Sequence, residues 1–221
     1  MIEIERYLQR LIGQLQLRFG DRLVYVGLQG SYLRGEATPE SDIDIMVVLE
    51  NLGTADLEAY RGILSAMEHP ELSCGFICSK ADLAKWNPLE ICHLVHSTKD
   101  YIGKLRDLVP AYSQADVRNF VRLSINNLYH EICHRAVHGS AERNLEKLTG
   151  TYKGVFFILQ NLHYLNHGVF AATRAELLTR LDGKHRAVLT RSMELNSGVC
   201  QDYADSFALL FSWCQETLQT L

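Results

Sequence analysis

The chain has 221 residues, with 22 basic against 26 acidic side chains and a formal net charge of −4, and its length admits one large domain or two small ones. No block of like charge and no Lys/Arg-rich stripe interrupts it, so long duplex nucleic acid is excluded as an expected partner. The N-terminal MIEIERYLQR is acidic and amphipathic where a signal peptide would be basic and then apolar, and no later run is long enough to span a bilayer. A cytoplasmic location without membrane contact is expected.

In chain order, Ile2 to Phe19 is an amphipathic helix stopped by Gly20, and LVYVGLQ (Leu23 to Gln29) is a strand that leads into a Gly-Ser turn. IDIMVVL from Ile43 is a second strand. Thr54 to Glu68 reads as a helix with acidic residues in its first turn, LSCGFIC (Leu72 to Cys78) as a third strand and ICHLVHS (Ile91 to Ser97) as a fourth. All four prolines, Pro39, Pro70, Pro88 and Pro110, lie in this first half.

After Pro110 the chain contains no proline and its apolar residues recur at helical spacing. Ser113 with Asp116, and Thr173 with Glu176, fit the capping-box pattern at helix starts. Between them KGVFFILQNLHYLNHG makes an apolar helix closed by Gly168, and Gln201 to Leu218 makes the last helix. The expected fold is α+β: a mixed-sheet domain over residues 1–110, then an all-helical bundle of four or five helices over 111–221. The six cysteines, Cys74, Cys78, Cys92, Cys133, Cys200 and Cys214, form no Cys-x-x-Cys pair and are expected to be reduced.

The residues that carry chemistry lie in GSYLRGEATPESDIDIMVVLE, from Gly30 to Glu50. On a strand, residues i and i+2 share a face, so Asp42 and Asp44 point one way and Ile43 and Ile45 the other. Two neighbouring carboxylates repel unless a cation sits between them, and an oxygen-rich pair suits Mg²⁺ completed by substrate phosphates. Gly30 lets the backbone approach a phosphate, Ser31 offers a hydroxyl, and a short helix starting there would aim its N–H groups at an anion. A Walker-type loop is absent. The plain alternative is that the two aspartates merely begin a strand on its solvent face.

Gly30-Ser31, Arg34-Gly35 and Ser41-Asp42-Ile43-Asp44 together resemble the motif of the polymerase-beta-like nucleotidyltransferase superfamily, in its branch of aminoglycoside and minimal nucleotidyltransferases. The helical second half is similar to the domain that follows the catalytic domain in the aminoglycoside enzymes. The resemblance implies that Asp42 and Asp44 are catalytic and hold two Mg²⁺ ions, that Gly30 and Ser31 bind the triphosphate of ATP, and that Arg34 and Ser41 support the loop or the phosphates. Active members add a third carboxylate, often on the strand after the intervening helix. LSCGFIC has none, which leaves Glu90, the preferred proton acceptor, and Glu71. In the second half Lys153, beside Tyr152, is placed at a helix N-terminus, where it suits a phosphate contact.

A rival motif, HEICHRAVH, contains the HExxH set His130, Glu131 and His134, followed by His138. In a zinc metalloprotease the histidines would hold Zn²⁺ and the glutamate would activate water. The longer metzincin continuation is missing, and this reading stays a remote alternative. The expected activity is transfer of AMP from ATP to a hydroxyl of a small acceptor such as an aminoglycoside. A protein or RNA end as acceptor, or a catalytically degenerate nucleotide-binding regulator, are the nearer alternatives. Residues 1–110 carry 11 basic and 16 acidic side chains, an excess that suits a cationic acceptor. The sequence says nothing of oligomeric state.

Overall fold

The computed structural model describes residues 2–139, 141–200 and 202–221. The chain divides into two compact units, Met1–Ala111 and Tyr112–Leu221. In the first, α1 (Ile4–Phe19) buries Tyr7, Leu8, Leu11, Leu15 and Phe19, a stripe at three- and four-residue spacing. Then come β1 (Leu23–Leu28), the short α2 (Gly30–Arg34), β2 (Ile43–Leu49), α3 (Thr54–Ser65), β3 (Ser73–Ser79), α4 (Lys80–Leu83), α5 (Pro88–His96) and β4 (Lys99–Ile102).

The sheet order is β3-β2-β1-β4. β1 pairs antiparallel with β2 and β4, whereas β2 and β3 are parallel, with α3 in the crossover that parallel strands require. Both faces are covered. Ile43, Ile45, Val47 and Leu49 pack with α1 and α3, and Met46 and Val48 pack on the opposite face with Tyr25, Cys78 and Leu83. A strand buried on both sides reads as a continuous apolar run, which is what IDIMVVL is. Asp44 shares the face of Met46 and Val48, so it belongs to a covered face and not to a solvent face.

The expected fourth strand is corrected here. ICHLVHS lies in α5, which starts earlier, where Asn87 caps the helix by accepting from Leu89 N at 3.1 Å and Pro88 takes the first helical position. Ile91 and Cys92 are the buried residues of that helix. The fourth strand is instead KDYI, bound to β1 and pinned by Tyr25 OH donating to Asp100 Oδ1 at 2.8 Å.

The second unit is helical: α6 (Gln114–His138), α7 (Ala141–His167), α8 (Arg174–Arg180), α9 (Gly183–Asn196) and α10 (Tyr203–Thr220). Ser113 and Asp116 make the reciprocal cap of α6. Thr173 Oγ1 accepts from Glu176 N, but Glu176 returns its bond to Ala172 N. Gln201, the expected start of the last helix, lies outside the described residues. The core of this unit is one cluster built on Tyr152, Phe156 and Trp213. Its buried polar atoms are mostly tied: Tyr152 OH donates to Ser206 O at 2.7 Å and Trp213 Nε1 to His185 Nδ1 at 2.9 Å. No helix among the described residues is long and apolar enough to cross a membrane.

Candidate active site

The Gly-Ser turn and the aspartate strand meet in the first unit. Gln29 N donates to Asp44 O at 2.9 Å, and Gln29 Nε2 donates to Thr98 Oγ1 at 2.8 Å, so the residue before Gly30 is held to β2 on one side and to the turn between α5 and β4 on the other. Gly30 has φ +70°, and a Cβ on it would lie 1.9 Å from Asp44 Oδ2. Only glycine fits, for its dihedral and for its missing side chain. α2 begins at Gly30 and carries Ser31 in its first turn, and Gly35 ends it in the left-handed conformation.

Ser41 closes the loop that delivers Asp42: its Oγ accepts from Thr38 N at 2.8 Å, and its own N donates to Thr38 O at 3.0 Å. Its hydroxyl is thus engaged within the loop. Asp42 is exposed and Asp44 half-buried. Burial raises the Asp44 carboxyl above the usual carboxylate range, the Asp42 charge adds to the rise, and the Cys74 hydrogen bond and the Arg34 guanidinium oppose it. A divalent cation would relieve the repulsion between the two carboxylates, so the donor set fits Mg²⁺. Among the described residues no group of three or more His, Cys, Asp or Glu side chains could hold a metal ion.

Arg34 is tied to Glu36 by a 2.9 Å ion pair, and its charge reaches both Asp44 and His93. His93, on α5, is held down to about 4 by burial, by Arg34 and by His96, so it is a neutral imidazole at neutral pH. Sequence reasoning missed His93 because it treated this segment as a strand. Glu90 stands in the first turn of α5, exposed, and its Oε2 accepts from Trp86 Nε1 at 2.5 Å. Trp86 in turn stacks on Phe76 of β3. Glu71 lies in a 3₁₀ turn ahead of β3, beside His69.

Lys153 does not stand at a helix N-terminus. α7 begins at Ala141, so Lys153 is an exposed residue of its interior, and the helix-terminus argument fails for it. In the HExxH segment His130, His134 and His138 are exposed along α6, whereas Glu131 Oε1 is taken by Arg135 NH1 and Thr151 Oγ1, each at 2.8 Å. That glutamate ties α6 to α7 through Thr151 and pairs with Arg135.

Residues 8–91 match the family model described as the nucleotidyltransferase domain. The matched stretch lies within the first unit. The match contains Gly30, Ser31, Asp42 and Asp44. A solved structure of spectinomycin adenyltransferase AAD(9) from Enterococcus faecialis, with ATP and spectinomycin, has a similar fold at TM-score 0.60 and 13% identity. The likeness covers 97% of this chain and 99% of that one, so it extends to the helical unit that follows the nucleotidyltransferase domain. No curated protein matches the chain.

Proposed function

We propose that the protein transfers a nucleoside monophosphate, AMP from ATP, to a hydroxyl group of a small molecule, with residues 1–110 as catalytic domain and 111–221 as acceptor- and nucleotide-binding domain. The observation that carries this reading is the convergence of Gly30 on the Asp44 carboxylate, which leaves no room for a side chain between the turn and the carboxylate strand. The match of residues 8–91 to a nucleotidyltransferase domain supports transfer in general. The solved neighbour, an adenyltransferase with ATP and spectinomycin, supports the choice of nucleotide and of a small acceptor.

In this reading the Ser31 hydroxyl and the backbone N–H groups of the turn hold the triphosphate, while Arg34 adds positive charge beside it. Asp42 and Asp44 would hold Mg²⁺, which would supply charge stabilisation at the reacting phosphate and to the leaving pyrophosphate. Glu90 accepts the proton of the acceptor hydroxyl from a rotamer that releases the Trp86 indole. Thr38 and Ser41 fix the loop that presents Asp42, and positioning of this kind supplies much of the rate in phosphoryl-type transfer.

Incubation of the protein with each labelled ribonucleoside triphosphate, Mg²⁺ and a panel of aminoglycosides, proteins and tRNA tests the reading. Label from ATP in a small hydroxylated acceptor is the expected result. Label in protein or RNA ends moves the acceptor class, and bound but unreacted ATP with every acceptor replaces the enzyme with a nucleotide-binding regulator.

A further inference from the structure

β3 carries no carboxylate, yet an aromatic strut ties its face to Glu90. In the parallel pairing of β2 with β3, Asp44 is the register partner of Cys74 and Met46 of Phe76. In-register residues of neighbouring strands share a face, so Phe76 stands on the face of Asp44 as the next residue after Cys74 to do so. The Trp86 ring lies against Phe76, with centroids 5.7 Å apart and planes at 23°, and packs with the cluster of Met46, Val48 and Leu83. Its Nε1 donates to Glu90 Oε2 at 2.5 Å. Trp86 is half-buried and directly precedes Asn87 and Pro88, which start α5, whereas Glu90 is exposed in the first turn of that helix. An exposed glutamate ordinarily samples several rotamers, but this one is held by a donor whose ring is fixed to the sheet. The chain's other tryptophan, Trp213, is buried and donates to His185 Nδ1 instead.

We propose that the Trp86 indole is a latch on the proton acceptor: it occupies the Glu90 carboxylate until an acceptor hydroxyl displaces it, and so suppresses transfer of AMP to water. The inference rests on the nucleotidyltransferase reading with Glu90 as its base. In the suppressed reaction a water oxygen bonds to the α-phosphorus and its proton passes to Glu90. The bond from that phosphorus to the oxygen bridging to the β-phosphate breaks, and AMP and pyrophosphate leave. A hydrogen bond to a charged carboxylate is among the stronger ones, and a fixed donor makes it at little further entropic cost. A mobile water competes poorly with it. A bound acceptor, by contrast, presents its hydroxyl at an effective concentration far above that of a free solute, and it can take the carboxylate from the indole. Trp86 is thus a positioning residue that acts through Glu90.

The test measures hydrolysis of ATP to AMP and pyrophosphate by the full-length protein with Mg²⁺ and no acceptor. Trp86→Phe keeps a ring on Phe76 and removes the donor. It should raise this hydrolysis by about tenfold, the low end of what a hydrogen bond to a charged group is worth. Adding Glu90→Gln to that variant should bring hydrolysis back to the wild-type level or below, because no base remains to be released. Phe76→Leu leaves the donor but removes its stacked support, and should raise hydrolysis by a smaller factor. A Mg²⁺-dependent thermal shift with ATP, retained in each variant, shows that it folds and binds. Independently of turnover, the indole N–H signal of Trp86 in isotope-labelled protein should move in Glu90→Ala while that of Trp213 stays in place. Hydrolysis no faster in either single variant than in wild type, a rise that survives Glu90→Gln, or an indole signal indifferent to Glu90→Ala overturns the latch and leaves the nucleotidyltransferase reading intact. A wild type with no Mg²⁺-dependent ATP shift overturns that reading together with the inference.

Discussion

The two units solve the problem of burial differently. In the first unit a central sheet has apolar clusters on both faces, and strand geometry fixes which side chains emerge at its rim: Asp44 and Cys74 are carried there by the same alternation that buries Met46 and Val48. In the helical unit one cluster takes up the apolar surface, and most of its buried polar atoms close on partners of that unit, as Ser192 Oγ does on Tyr152 O at 2.9 Å. In the first unit Asp42 and Asp44 stand at the end of a strand beside the Gly30 turn, and in the second unit most buried polar groups are consumed by packing. The difference teaches where a substitution should cost turnover and where it should cost only stability.

Two glycines of equal dihedral sharpen that contrast. Gly30 and Gly168 both have φ +70°, but a Cβ at Gly30 meets Asp44, whereas one at Gly168 meets nothing within 4 Å. Gly30→Ala is expected to displace the turn from the carboxylate and to lower turnover by about 10²-fold or more, the scale of a displacement of about 1 Å at a reacting centre. Nucleotide-transfer kinetics of the variant provide the check, and near-normal turnover would break the contrast.

An intermediate effect belongs to His93, whose imidazole faces Arg34 and His96. Its folded-state value is depressed to about 4 from an unfolded value of about 6.5, so the unfolded chain binds more protons between those limits. Stability is fully present above about pH 6.5 and falls as pH drops toward 4, by about 3 kcal/mol at most from this group. Urea unfolding of His93→Gln should show a flatter loss over that window than wild type. An identical slope in both would show that the buried imidazole is not the group that titrates.

The smallest effect is expected at Gly168→Ala, which meets only the backbone penalty of a left-handed residue, about 1 kcal/mol. Its thermal midpoint should drop by a few degrees at most, and turnover should be unchanged. A loss of turnover there would mean that the helical unit is coupled to catalysis through the end of α7.

Much of this was legible in the residues. The turn chemistry of Gly30-Ser31 and the Asp-x-Asp spacing have local causes, and so do the caps at Ser113 and Thr173 and the apolar run of IDIMVVL. Misreadings arose where a local signal was overlooked or where a partner decides. ICHLVHS is short and apolar enough for either element, and the Asn87-Pro88 start that settles it lies upstream of the run. The first turns of α7 are too polar to continue the apolar run back from Lys153, but AERNLEKL is rich in helix-forming residues, a local signal that the apolar pattern alone passes over. α9 places Ser192 among the buried residues Val188, Leu189 and Leu195, which weakens its apolar stripe. The place of Cys74 opposite Asp44 is a fact of strand register, and no feature within β3 announces it.

The central claim, that Gly30, Ser31, Asp42 and Asp44 form a metal-dependent nucleotide site, is tested most directly by the thermal midpoint with ATP and Mg²⁺. A ligand at about 100 times its dissociation constant that binds only the folded state adds about 2.7 kcal/mol, which for a chain of this size raises the midpoint by about 5–10 °C. ATP with a chelator should raise it much less, and Asp44→Asn should abolish most of the metal-dependent part while keeping the shape of the side chain. A wild-type protein with no Mg²⁺-dependent shift for any of the four ribonucleoside triphosphates, with and without the acceptor panel, would contradict the account.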